Sequence, residues 1–355
     1  MMHKLKNNIG FMFLLFIFTT CSSNPKGRGE NVLSYSGFPR EKELKGEIIE
    51  LDKAIFRYPF RIRIDGDKAI IMDLHGYDSY GHLFQYPSFQ YLSSFGKRGD
   101  SPTDMLSMEN LRFNNHQVWS LDANKSELTR FDFTSAGDSL LREKVIALDK
   151  DIIRALDFTF YNDTIFFIPD YLGDSRFIKV DFSGKLIEKA GVIPTLNETF
   201  LQKARPALAQ AWRSFVDYNP HNGILAAVTQ LGDVVEIYNL KDSTHMVLIG
   251  KHGEPEFEIS DGYGIPTGIM GFSDVQVTDD AIYAVFHGTS FKDIARQNGR
   301  LPDGGKYIYV FSLKGEPFCK YVLNHYVYGI WVDEVTKTII ATDVNSDQPL
   351  VKFSL

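Results

Sequence analysis

The chain has 355 residues, 44% of them hydrophobic and 14% aromatic, which is enough apolar material to fill a core and excludes disorder over most of its length. Its formal net charge is −7, with no stripe or cluster of Lys and Arg, which argues against a nucleic-acid partner. Only two cysteines occur, Cys21 and Cys319, so there is no disulfide framework.

Residues 1–20 begin with Lys4 and Lys6 and continue in an apolar run from Ile9 to Phe18. The run is too short to cross a bilayer comfortably and reads as the apolar part of a secretory signal. Cys21 directly follows Phe18-Thr19-Thr20, and this junction resembles a bacterial lipoprotein signal. The thiol would then carry lipid and become the first residue of the exported, membrane-anchored chain. Phe18 departs from the Leu usual at that place, and an ordinary signal with an incidental Cys is the alternative. Residues 21–45, which open with SSNPKGRGE after the Cys, read as a polar tether.

From residue 46 onward, apolar and polar residues alternate in short segments broken by Gly, Asn and Asp, the signature of half-buried strands. Residues 46–51, GEIIEL, form one strand with no neighbour to pair with. Groups of four strands follow, labelled A to D. The first is 59–64, 68–74, 81–86 and 89–95; the second is 110–114, 117–121, 127–133 and 140–147. The third is 152–158, 163–169, 176–182 and 185–191, and it contains the clearest copy, RFIKVDFSGK. The fourth is 214–218, 223–229, 233–239 and 244–250; the fifth is 272–277, 281–287, 306–313 and 317–323. The sixth stops at three strands, 329–333, 336–342 and 350–355. Six copies of one small sheet predict an all-β, six-bladed β-propeller over 46–355. Strand 46–51 then completes the last blade and closes the ring, since an open edge is a liability.

Uneven spacing between blades marks three insertions, at 195–213, 251–271 and 288–305. The first suits a short helix capped by Asn197 and kinked or split by Pro206. By strand order these are two D-to-A crossings and one B-to-C loop, which emerge on the same side of a propeller. Loops gathered on a rigid scaffold usually carry binding.

The lipoprotein-like start, the six blades, the loop FGKRGDSP at 95–102 with its echo IGKHGEP at 249–255, and the terminal closure together resemble a family. It is the TolB-like six-bladed propeller lipoproteins of Bacteroidetes, close to the NHL-repeat propellers. The resemblance covers about 46–355 and implies the fold and an envelope address. It implies no defined activity, so no catalytic residue is carried over. NHL-type blades often hold an Asp/Asn pair in the B-to-C loop; Asp122-Ala123-Asn124 and Asp343-Val344-Asn345 look similar, while blades four and five depart.

B-to-C loops bring Asp73, His75, Asp122, Asn124, Asp170, Asp174, His287, Asp343 and Asn345 toward the channel mouth. Converging carboxylates and amides suit a hard cation such as calcium. Six-bladed sugar-lactone hydrolases hold a metal there, which keeps a lactonase-like metal-dependent hydrolase open as the alternative. The competing reading is that each Asp or Asn caps its own turn. His252 lies beside an insertion, and Trp212 and Tyr263 within insertions suit stacking on a sugar or peptide. Trp212 also shares a helical face with Phe200 and Leu208, which reads as packing. No C-x-x-C, H-E-x-x-H, G-K-[ST] or G-x-S-x-G motif occurs. The leading expectation is a lipid-anchored, non-catalytic envelope propeller that binds a protein or glycan partner at the mouth.

Overall fold

The computed structural model describes residues 31–52, 56–298 and 301–355; the expected signal 1–20 and Cys21 lie outside them. Six sheets form six blades of four strands each before extra edge strands are counted, and in five of them the four run in sequence order from the axis outward. Innermost strands of adjacent blades touch around the ring. Apolar side chains from facing sheets fill the space between blades; Ile62, Leu111, Val216, Val275 and Ile330 on the inner strands are all buried.

The ring closes with the N-terminal strand. Glu47–Ile49 pairs antiparallel with Leu350–Ser354, placing Ile48 opposite Val351, and so supplies the fourth strand of blade six. Leu51 N–H donates to the Gln348 side chain at 2.8 Å and extends the seam. Gly46 passes so close to Val351 and Phe353 that a Cβ there would lie 2.3 and 2.8 Å from their side chains.

Residues 31–45, expected to belong to the tether, are instead packed on the ring. Val32–Ser34 runs parallel to strand D of blade four, and Glu41–Leu44 runs parallel to strand D of blade five. Each adds a fifth strand to its blade. Between them, Phe38 packs against Tyr309 at 4.6 Å and Tyr35 against Phe311 at 5.4 Å. The chain therefore follows the rims of blades four and five before closing blade six. These rim strands were obscure because VLS is only three residues long and EKEL is mostly charged.

One strand is displaced from its expected place. Strand A of blade three is Thr159–Asn162, whereas 152–158 forms the crossing that leads to it. Ile152, Ala155 and Phe158 are buried there, so the apolar spacing of a packed loop imitates a strand.

Candidate functional site

Two of the three insertions fold on local signals. The first forms α1 (Glu198–Lys203) and α2 (Arg205–Ala211), with the Asn197 side chain accepting from Phe200 N–H and Pro206 in the first turn of α2. The third carries α3 (Phe291–Arg296), capped by Ser290. The second is a hairpin of Phe257–Ser260 and Tyr263–Pro266.

The three insertions meet on one face. Gly264 N–H donates to Gln210 Oε1 at 3.2 Å, and Leu196 N–H to Glu254 Oε1 at 2.8 Å, joining the first insertion to the second. Phe291 N–H reaches the Gly268 carbonyl and Met270 N–H the Thr289 carbonyl, joining the second to the third. Asn345 then ties the third to blade six, exchanging hydrogen bonds of 2.8 and 2.7 Å with the Asp303 backbone.

The carboxylates expected at the mouth are engaged in holding this architecture. Asp73 accepts from the N–H groups of Arg57, Tyr58 and His75, so it pins the entry to blade one. Asp122 accepts from Leu106, Asn124 and Lys125; Asp170 accepts from Leu172 and Ser175. Asp343 accepts from Asn345 and from His325. Asp174 is exposed and paired with Lys189 at 2.9 Å, and the Asn124 side chain is exposed. Among the described residues, no three His, Cys, Asp or Glu are placed to hold a metal. The calcium alternative does not fit these donors: they are spread over separate blades, Asp73, Asp122, Asp170 and Asp343 already accept from amides, and Asp174 is paired with Lys189.

The aromatic candidates divide. Trp212 is 0% exposed beneath α2, packed with Leu208, Val234 and Val247, and is a core residue rather than a ligand contact. Tyr263, at the hairpin tip, is 56% exposed. His252 is half-buried beside Phe286, their rings 5.9 Å apart.

His75 and His287 are brought together. A row of rings runs His75–Tyr58–Tyr328–His287, with centroids 5.1, 5.6 and 5.7 Å apart. His287 is 8% exposed and its Nε2 has no hydrogen-bond partner among the described residues. Burial lowers its pKa to about 4, against the raising influence of Asp303, so the ring is neutral at pH 7. Tyr58 donates to the Asp303 carboxylate. Burial pushes the Tyr328 phenol up to about 12, with the charges of Arg61 and Arg213 opposing.

Four cavities open on this face, two of which, of about 520 and 580 Å³, run along the first and second insertions with Glu198, Glu254, Glu256 and Glu258 in their walls. A cleft of about 340 Å³ is lined by Arg57, His75, Gly76, Tyr77 and Arg98. A smaller cavity of about 180 Å³ lies between blade three, α2 and the hairpin, with Tyr171, Arg154, Gln210, Arg213 and Gly264 in its wall. Tyr171 is 7% exposed, and among the described residues neither its hydroxyl hydrogen nor Arg213 Nε–H has an acceptor, the Tyr171 oxygen lying beside the Ser214 backbone N–H. Buried polar atoms are ordinarily paired, so two orphans in one cavity wall mark a place built to receive something. Tyr171 gave no signal in the sequence, being a single aromatic in a short loop.

The opposite end of the axis differs. A cavity of about 540 Å³ there is lined by Arg63, Arg112, Asp217 and Gln276, and its polar groups are satisfied. Arg63 grips Asp274 through two bonds of 3.1 and 3.0 Å, and Arg112 reaches Asp217 at 2.8 Å. The aspartates also stitch the inner strands blade to blade. Asp157 accepts from Val216 N–H (2.8 Å), Asp217 from Val277 N–H (2.8 Å) and Asp274 from Ile330 N–H (2.9 Å). This charged girdle plugs the channel and was not anticipated from the sequence, where its members look like isolated charges in apolar strands.

Comparison with known proteins agrees with this architecture. A family described as TolB-like 6-blade propeller-like matches residues 37–335. No curated protein sequence matches the chain. Among solved structures, a Bacteroides vulgatus member of the duf4221 family superposes with a TM-score of 0.56 at 10% identity, covering 88% of this chain and 98% of that one. A Bacteroides fragilis protein described as exported gives 0.54 at 11% identity, covering 91% and 98%. An auxiliary nutrient binding protein from Bacteroides ovatus gives 0.52 at 12% identity, covering 84% and 70%. At these identities the likeness is one of fold.

Proposed function

Because the chain belongs to the TolB-like six-bladed propellers, with two orphaned donors on its insertion-bearing face, we propose that it is an exported, non-catalytic binding protein of the cell envelope. Its ligand, a protein segment or glycan, seats on that face. The observation that carries this is the pair of unpartnered donors, Tyr171 hydroxyl and Arg213 Nε, in one cavity wall shared with two insertions. Lipid attachment at Cys21 would hold the protein at the membrane, with the rim strands setting the ring close behind the anchor. The nutrient-binding role of a fold relative from Bacteroides ovatus is in keeping with such a task.

A thermal-shift screen of neutral and charged glycans, metabolites and peptides tests it, using the whole chain with Cys21→Ser, with and without calcium. A ligand that binds only the folded state raises the melting temperature by mass action. The expected result is at least one stabilising compound, independent of calcium, whose effect shrinks in Tyr171→Phe. No stabilising compound, or one indifferent to Tyr171, would remove the reading.

A further inference from the structure

We infer that the ligand of the insertion-bearing face carries an oxyanion, a carboxylate or a phosphate, held by Arg57 and Arg98 in the 340 Å³ cleft. This rests on the proposed binding role and names its chemistry.

Charge on this face is distributed in an unusual way. The chain is net acidic, at −7. The acids of the insertions line the two larger cavities, Glu198, Glu254, Glu256 and Glu258, whereas the walls of the 340 and 180 Å³ cavities contain Arg57, Arg98, Arg154 and Arg213 and no Asp or Glu among the described residues. None of these arginines forms an ion pair with a described residue; Arg57, Arg98 and Arg154 are exposed and Arg213 is half-buried, so their charges face the cavities. Three nearby acids are committed, Asp73 to three backbone amides, Asp303 to Tyr58, and Asp157 to Val216 and Arg112, while Asp78, at the cleft edge, is exposed and takes the Arg98 N–H on its carbonyl.

The cleft also holds its arginines in place. The Arg57 guanidinium lies 4.1 Å from the centroid of the Tyr77 ring, and Arg98 lies 5.2 Å from that of Tyr80. Arg98 Nη1 donates to the Gly76 carbonyl at 3.2 Å. Stacking on an aromatic face fixes the plane of a guanidinium while leaving edge donors free, the arrangement suited to a forked grip on an oxyanion. His75 adds a third polar group to the cleft, and Tyr77 is 71% exposed, leaving aromatic surface for the body of a ligand. A volume of 340 Å³ lies at the small end of small-molecule sites, which run to roughly 1,000 Å³.

The test is calorimetry of the whole chain with Cys21→Ser against glucuronate, glucose 6-phosphate, inorganic phosphate and glucose. The expected result is that at least one oxyanion binds ten or more times tighter than glucose, and that R57Q/R98Q loses at least tenfold with an unchanged melting temperature. Which oxyanion wins identifies the group. Both arginines are exposed, so the variant is expected to fold. Arg213→Gln reads whether the second cavity takes part. Glucose binding as tightly as the oxyanions, no binding by any of the three, or full affinity in R57Q/R98Q would overturn the inference. A neutral ligand that binds through Tyr171 without these arginines would overturn it while leaving the proposed function standing; a face that binds nothing removes both.

Discussion

The Tyr35 hydroxyl donates to Asp233 Oδ1 at 2.5 Å, across 198 positions of sequence. Asp233 sits in the B-to-C turn of blade four, where it also accepts from His252 N–H at 3.3 Å and so braces the crossing into blade five. One phenol from the rim segment thus reaches between two blades to the base of the second insertion. Burial raises the Asp233 pKa, with the Tyr35 and His252 hydrogen bonds opposing.

Removing that hydroxyl leaves a buried carboxylate short of a donor. Tyr35→Phe is expected to cost about 1–3 kcal/mol, the usual penalty for an unsatisfied buried acceptor. Urea unfolding of the variant checks it; a midpoint equal to that of the parent would show that the rim segment is not coupled to the ring.

Ring closure makes a steric prediction at Gly46. A side chain there meets Val351 and Phe353, on the strand to which the closing segment pairs. Gly46→Val should destabilise by about 1–3 kcal/mol, as overpacking does. Thermal unfolding within a degree of the parent would contradict the closure.

Blades three and four are clasped by a buried pair. Arg176 meets Glu236 with its Nη2 2.6 Å from Oε1, and also reaches Ser214 Oγ at 2.6 Å and the Trp212 carbonyl. Tyr238 adds a fifth member, its hydroxyl donating to Glu236 at 2.6 Å. Glu236→Gln strands the Arg176 charge in the core and should cost about 3–5 kcal/mol. Denaturant titration measures this, and a loss below about 1 kcal/mol would mean the pair is solvated.

Acid should weaken the fold through His287. Its folded pKa, near 4, lies below the ordinary value of 6.5, so the unfolded chain binds more protons between those values. Stability therefore falls as pH drops through 6.5 toward 4 and is unaffected by this group above 6.5. Between pH 7 and 5 the cost is about 2 kcal/mol. The difference in stability between the parent and His287→Asn, followed over that range, isolates the effect; a constant difference would contradict it.

Strand positions were legible because a residue buried on one face of a sheet must recur at every second place. The segment 127–133 reads identically as a pattern and as the strand Glu127–Phe133. The closing strand was legible from arithmetic, since blade six lacked a member. What stayed hidden depends on three-dimensional neighbours. Asp217 looks like an ordinary strand polar residue until the ring places Arg112 and Val277 N–H beside it. Asp73 and Asp122 were found as mouth residues, but only the crossings folded against them show that backbone amides already occupy their oxygens. Trp212 combined both signals, and the burial of α2 decides in favour of packing.

Hydrogen exchange read with the most stabilising compound of the ligand screen tests the site most directly. The account predicts slowed exchange in the turn His75–Tyr77 and at Arg98, in the loop around Tyr171, in α2 and in the Phe257–Pro266 hairpin, with the opposite turns at Asn115 and His221 unchanged. Protection confined to those opposite turns would place the ligand at the plugged end of the channel and contradict it.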